Sequence, residues 1–169
     1  MGNVPVVCIV AASSGTGKTT FLEKLIKEVV NRGYRVGTVK SDSHGFEMDV
    51  PGKDTWRFAQ AGAKATAIIG PEKYALIHKS EGRKDLGQVI EMIEDVDIIL
   101  VEGYKASQMP RIEVVRREKG TDIISPLEYL IGVVTDVEGL DVPVPVLDIN
   151  DIEGAADLLI GKCIKERVI

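Results

Sequence analysis

The chain has 169 residues, 44% of them hydrophobic and 28% charged, a balance that excludes bulk disorder and suits a single domain spanning 1–169. Its 21 Lys and Arg against 26 Asp and Glu leave a formal charge of −5, a poor match for wrapping a nucleic-acid polymer or an anionic membrane. Two cysteines, Cys8 and Cys163, both in apolar runs, exclude a disulfide framework and a cysteine-rich zinc site, and read as buried thiols of a reducing compartment.

Met1-Gly2-Asn3-Val4-Pro5 carries no basic region, and the apolar run after it is far too short to span a membrane, so the chain reads as cytoplasmic. Val4 to Ala12 is almost unbroken apolar sequence, the pattern of a strand buried on both faces. Beyond Ser13-Ser14-Gly15-Thr16-Gly17, a helix puts Phe21, Leu22, Leu25, Ile26, Val29 and Val30 on one face and Glu23, Lys24, Lys27 and Glu28 on the other, with Gly33 as its stop. Tyr34 to Lys40 reads as the next strand, and a strand–helix–strand unit of this length implies a parallel pair. Ser41 to Gly52 is a polar loop, and Asp54 is placed to cap a short helix through Gln60. Ala65 to Ile69 and Tyr74 to Lys79 flank Gly70-Pro71-Glu72-Lys73 as a hairpin.

Asp85 is the expected cap of a helix carrying Leu86, Val89, Ile90 and Ile93 on one face, and Val96 to Val101 is a second fully apolar strand. Arg111 to Arg117 alternates and reads as a more exposed edge strand; Arg116, Arg117 and Lys119 read as solvated, protective charges in preference to the lid over a transferring phosphate that a small-molecule kinase would make of them. Leu130 to Thr135 and Val144 to Leu147 are further strands. Asn150 or Asp151 caps a last helix whose inner face is Ile152, Ala155, Ala156, Leu159 and Cys163. The sum is an α/β fold with a mostly parallel central sheet, flanking helices and a β-hairpin insertion.

Ala12-Ser13-Ser14-Gly15-Thr16-Gly17-Lys18-Thr19 matches the phosphate-binding loop GxxxxGK[ST], with Ala in place of the first glycine. With Gly or Ala allowed there, the spacing arises by composition in about 1% of chains this long. The buried strand before it and the amphipathic helix after it supply the required context, that of a P-loop NTPase. Glycines let successive N–H groups turn toward phosphate oxygens, and the helix start adds its dipole. Ser14, Gly15, Thr16, Gly17, Lys18, Thr19 and Thr20 are therefore the expected nucleotide-binding residues, Lys18 for the β- and γ-phosphates and Thr19 for Mg²⁺.

A metal-bound triphosphate usually takes a carboxylate from a neighbouring strand end, and Glu102 after the run Ile98 to Val101 is the expected one. Asp42, after the second strand, is expected to hold Mg²⁺ through water or to position the attacking water. Asp97, at the opposite end of its strand, is not expected to reach the site. Asp49-Val50-Pro51-Gly52 fits the DxxG spacing but follows no apolar strand. No NKxD motif occurs, and Thr135-Asp136 is its nearest substitute, so the motifs alone leave guanine and adenine open. No cis arginine finger or water-orienting glutamine stands out, which predicts slow turnover.

Taken with Gly37-Thr38-Val39-Lys40, His44-Gly45-Phe46, Pro51-Gly52-Lys53-Asp54-Thr55-Trp56-Arg57, Ala61-Gly62-Ala63 and Leu100-Val101-Glu102-Gly103-Tyr104-Lys105, the loop resembles the molybdopterin-guanine dinucleotide biosynthesis protein B (MobB) family over nearly the whole chain. The resemblance implies a homodimeric GTP-binding protein with weak GTPase activity that assists attachment of GMP to molybdopterin, the transfer itself belonging to a partner nucleotidyltransferase. It also makes the hairpin Ala65 to Lys79, with Ile68, Ile69, Ala75, Leu76 and Ile77, an expected dimer element. Two other readings stay open. One is a small-molecule kinase or ligase of the dethiobiotin-synthetase-like kind, which shares Val101-Glu102-Gly103 and is motivated by the basic cluster Arg116, Arg117 and Lys119. The other is a non-catalytic chaperone that delivers the pterin cofactor.

The charge is uneven. Asp136 to Asp157 contains seven acids and no Lys or Arg, so the rest of the chain sums to +2, compatible with a nucleotide if not with a nucleic-acid polymer.

Overall fold

The computed structural model describes residues 4–165; Met1-Gly2-Asn3, part of the N-terminus read above for a leader, lies outside them. In chain order the elements are β1 (Val6–Val10), α1 (Lys18–Asn31), β2 (Val36–Lys40), α2 (Asp54–Gln60), β3 (Ala65–Ile69), β4 (Tyr74–His78), α3 (Leu86–Ile90), β5 (Ile98–Glu102), β6 (Arg111–Val115), β7 (Leu130–Thr135), β8 (Val146–Asp148) and α4 (Ile152–Leu159). Chain contacts gather these into two compact units, one formed by residues 1–41 and 92–169 and the other by Asp42–Glu91. No described helix is long and apolar enough to cross a membrane.

The larger unit is built on a six-stranded sheet in the order β2-β5-β1-β6-β7-β8, and every neighbouring pair is parallel. β1 lies inside it, with Val7, Cys8, Ile9 and Val10 fully buried, as the unbroken apolar run requires. α1 packs Phe21, Leu22, Leu25 and Val29 onto this core, whereas Val30 falls outside the buried stripe and is half-exposed. Its C-terminus closes on Gly33 at φ +89°, with the Gly33 amide donating to the Val30 carbonyl. Beside α1 runs α4, capped by Asp151, whose carboxylate accepts from the Gly154 amide. Arg32 on α1 reaches both Glu28 and Asp157. Cys163 is buried in the wider π-type turn Ile160–Lys165 that prolongs α4.

The region Arg111 to Arg117 corrects the sequence expectation. β6 is not an exposed edge: it lies between β1 and β7, and all five of its residues are buried. The alternation that looked solvent-facing comes from two charged side chains whose partners are supplied by backbone outside the strand. The Arg111 guanidinium donates to the carbonyls of Lys105 and Ser107 and stacks over the Tyr129 ring at 5.6 Å. The fully buried Glu113 carboxylate accepts from the amides of Ile124 and Ser125, both at 3.0 Å. A buried charge is tolerable only with such partners.

The smaller unit holds α2, the β3–β4 hairpin and α3. The capping position of α2 is Lys53, not Asp54. Asp54 opens the first turn, where its charge complements the helix dipole. Asp49 accepts from the Val50 amide and the Thr55 hydroxyl, a local turn rather than a DxxG switch. β3 and β4 pair antiparallel from Ala65↔His78 to Ile69↔Tyr74, and Gly70 closes the turn on the Lys73 carbonyl. Asp85 caps α3 as expected, but the helix stops at Ile90, short of Ile93. The hairpin leaves Ile69 85%, Tyr74 77% and Leu76 61% exposed.

At the amino end of β5, Asp97 accepts from the Arg35 amide and pairs with its guanidinium at 2.8 Å. These hydrogen bonds to Arg35 pull the Asp97 carboxyl down from the usual 3.8 to about 2. A carboxyl that titrates lower in the folded chain adds stability above the unfolded pKa and loses it as pH falls through the folded one. Asp97→Asn should therefore cost about 0.5–1 kcal/mol at pH 7 for this partly exposed pair. In urea unfolding, the gap between variant and parent should narrow from about pH 4 to vanish near pH 2.

Candidate functional site

Because the sheet is parallel, every strand delivers its C-terminal end to one edge, where open α/β sheets bind ligands. The phosphate loop follows β1 at that edge. Gly15 and Gly17 adopt φ +71° and +81°, a conformation that side-chain-bearing residues rarely take. α1 starts directly after Gly17, whose carbonyl accepts from the Phe21 amide at 2.9 Å. Thr16 is buried beneath the loop, while Ser14 and Gly15 are exposed.

Lys18 folds back over this loop, donating to the Ser13 carbonyl at 2.9 Å and the Thr16 hydroxyl at 3.3 Å. Burial pushes its pKa down, Lys105 adds to the shift and Glu102 opposes it. The Thr19 hydroxyl donates to Glu102 Oε1 at 3.0 Å, so the sheet does bring together the threonine and the carboxylate singled out as a metal pair. Two hard oxygens at a sheet edge suit Mg²⁺, which needs only one or two protein ligands beside water and phosphate. Among the described residues no cluster of three or more His, Cys, Asp and Glu could hold a metal by itself. Thr20 is exposed in the first turn of α1.

Asp42 opens the smaller unit, where its carboxylate accepts from the His44 amide at 2.7 Å. Thr135 and Asp136 end β7 at the same edge as the loop. The buried Thr135 hydroxyl accepts from the Val137 amide. Asp136 accepts from the Arg117 amide at 2.8 Å and from Arg116 Nε at 2.9 Å, and these bonds, that of the amide first, lower its pKa.

Sequence reasoning gave Lys105 no role and preferred solvent to a phosphate lid for Arg116 and Lys119, yet all three cations lie at this loop. Gly103 and Tyr104, at φ +88° and +62°, turn the chain sharply after β5. That turn returns Lys105 to the loop, where its ammonium donates to the Ala12 carbonyl at 2.7 Å. Arg116 and Lys119 arrive from the other side. A Cβ built on Gly17 would lie 3.6 Å from Arg116 Nη1, and one built on Gly15 would lie 3.7 Å from Lys119 Nζ. The available signal was the apolar content of Ile112, Val114 and Val115, which favours an interior β6 and so a loop beside β1.

A model of the family described as molybdopterin guanine dinucleotide synthesis protein B (MobB) matches residues 6–136. The chain belongs to the MobB family. It is 37% identical over 156 residues to the molybdopterin-guanine dinucleotide biosynthesis adapter protein of Escherichia coli (strain K12), covering 89% of each chain. It is 34% identical over 148 residues to the adapter protein of that name from Haemophilus influenzae, covering 86% of this chain and 83% of the other. Among solved MobB structures, that of Bacillus subtilis superposes with a TM-score of 0.74 at 25% identity, over 94% of this chain and 98% of that one. The MobB homolog of Bacillus stearothermophilus gives 0.67 at 25% identity, over 96% and 99%. MobB membership sets the chain in molybdopterin guanine dinucleotide biosynthesis on a P-loop NTPase fold.

Gly17 tests the loop's backbone. Gly17→Ala meets only ordinary van der Waals contact, so its cost comes from the left-handed backbone, about 1–2 kcal/mol by urea unfolding. Gly139, at φ +71° with open space around a Cβ, should show a similar penalty on substitution by Ala and serves as the control.

Proposed function

We propose that this MobB-family chain binds GTP with Mg²⁺ at its phosphate loop, hydrolyses it slowly, and assists a partner nucleotidyltransferase that attaches GMP to molybdopterin. The observation that carries the reading is the loop itself: Gly15 and Gly17 in left-handed conformation, Lys18 folded onto Ser13, and Thr19 bonded to Glu102. A triphosphate would take over the anion-binding position where Lys18 now contacts a carbonyl oxygen, with backbone from Ser14 to Thr20 around it. Thr19 and Glu102 would hold Mg²⁺, which neutralises charge on the β- and γ-oxygens. The accessory role draws on the two relatives named as biosynthesis adapter proteins.

In this reading the base lies toward Thr135 and Asp136. Guanine N1 and N2 would then share the Asp136 carboxylate with Arg116 and Arg117. Slow hydrolysis follows because no cis arginine finger or water-orienting glutamine stands out in the sequence. The chain would work as a homodimer, and the exposed Ile69, Tyr74 and Leu76 of the hairpin are the surface that supports this.

Competition between GTP and ATP for the Mg²⁺-loaded protein tests the base. GTP should win, and an ATP preference above about tenfold, 1.4 kcal/mol, would overturn the guanine assignment. Lys18→Ala should weaken triphosphate binding by about 100-fold, and turnover of the parent should stay below about 1 s⁻¹ without a partner. Acceptor-dependent, stoichiometric phosphate transfer would instead favour a kinase. For assembly, Ile69→Asp with Leu76→Asp should convert a dimer to a monomer in sedimentation while the far-ultraviolet spectrum is kept. An unchanged mass would remove the hairpin from the interface.

A further inference from the structure

β1 is flanked by β5 on one side and β6 on the other, so the loop after β1 has two different walls. Glu102 and Thr19 make the first. The second is the segment that follows β6. Arg116 leaves the strand, Arg117–Lys119 forms a single 3₁₀ turn, and Arg116 and Gly120 then bridge antiparallel. This short arm is tied down at both ends. Asp136 accepts from Arg116 Nε and from the Arg117 amide at its start, and Glu113 accepts from the Ile124 and Ser125 amides beyond it. Arg116 and Lys119 line a shallow cleft together with Ala12 and Thr16 of the phosphate loop.

The arm brings positive charge to the loop's glycines. Arg116 Nη1 and Lys119 Nζ lie 3.6 and 3.7 Å from where Cβ atoms of Gly17 and Gly15 would stand. Arg116 is paired through Nε, but Lys119 Nζ makes no hydrogen bond or ion pair among the described residues. The acids that line the cleft are Glu113 and Asp122, and Glu113 is already engaged with two amides. An unpaired ammonium over glycines that converge on an anion is best satisfied by that anion.

We propose that Arg116 and Lys119 form a fixed cationic arm of the phosphate site. Lys119 binds the nucleotide's phosphate chain from the side opposite Glu102, and Asp136 is a positioning residue that holds Arg116 beside it. The inference rests on the nucleotide reading above and deepens it: Asp136 acts on the phosphates through Arg116 whether or not it also meets the base.

Calorimetric titration of the full chain with GTP and with GMP, both with Mg²⁺, tests this. Lys119→Ala should weaken GTP binding by about tenfold and GMP binding by less than about threefold, because the lost contact scales with phosphate charge. Lys119→Arg should return GTP affinity to within about threefold of the parent. Asp136→Asn should weaken GTP more than GMP, any loss of a base contact being common to both; equal loss for the two nucleotides would overturn its positioning role. Binding of GTP to Lys119→Ala as tightly as to a GTP-binding parent would overturn the arm and leave the nucleotide reading standing. A parent that binds neither nucleotide would overturn both.

Discussion

The organising constraint is that β1 is hydrogen-bonded on both sides. Its partners β5 and β6 are parallel to it, and its side chains are buried on both faces. Nothing can leave the strand sideways, so the chain must turn at the C-terminal end. There only glycines at positive φ let Ser13 to Gly17 curl back into α1. The same pairing carries β5 and β6 to that edge, so the loop acquires Thr19–Glu102 on one side and Arg116 with Lys119 on the other. An oxygen-rich wall suited to a hard cation and a cationic wall suited to phosphate thus face each other across the loop without any further device.

Charge placement reconciles the acidic total with the cations gathered at the loop. The acids concentrate after Asp136, and several of them are tied to specific donors: Asp136 to Arg116 and Arg117, Asp148 to the Asn150 amide, Asp151 to the Gly154 amide and Asp157 to Arg32. Lys18, Lys105 and Lys119 gather at the loop instead, and burial, with a smaller contribution from Lys105, lowers the Lys18 pKa. Net charge governs long-range attraction, whereas a bound phosphate feels the few charges within a Debye length.

The elements with long apolar or strictly periodic patterns were legible from sequence. β1, α1, β5, β7 and the hairpin fall where burial and period place them, and the loop with its threonine follows from spacing alone. β6 was misread because the alternation of Arg111 and Glu113 with apolar residues mimics a half-exposed strand. Their partners, the carbonyls of Lys105 and Ser107 and the amides of Ile124 and Ser125, lie 4 to 12 residues away in sequence and form no motif. The misreading also displaced Arg116 and Lys119 from the loop to a solvent edge, and α3 ends at Ile90 although its apolar period continues to Ile93.

By itself the sequence determined the phosphate loop, the parallel α/β order and the family, because those depend on local backbone freedom, hydrophobic period and motif spacing. Tertiary structure decided which charges serve the loop. Strand order is a global property: it set β6 beside β1, buried Arg111 and Glu113, and carried Arg116 and Lys119 to glycines about 100 residues earlier in the chain, a placement that only pairing between distant strands can make.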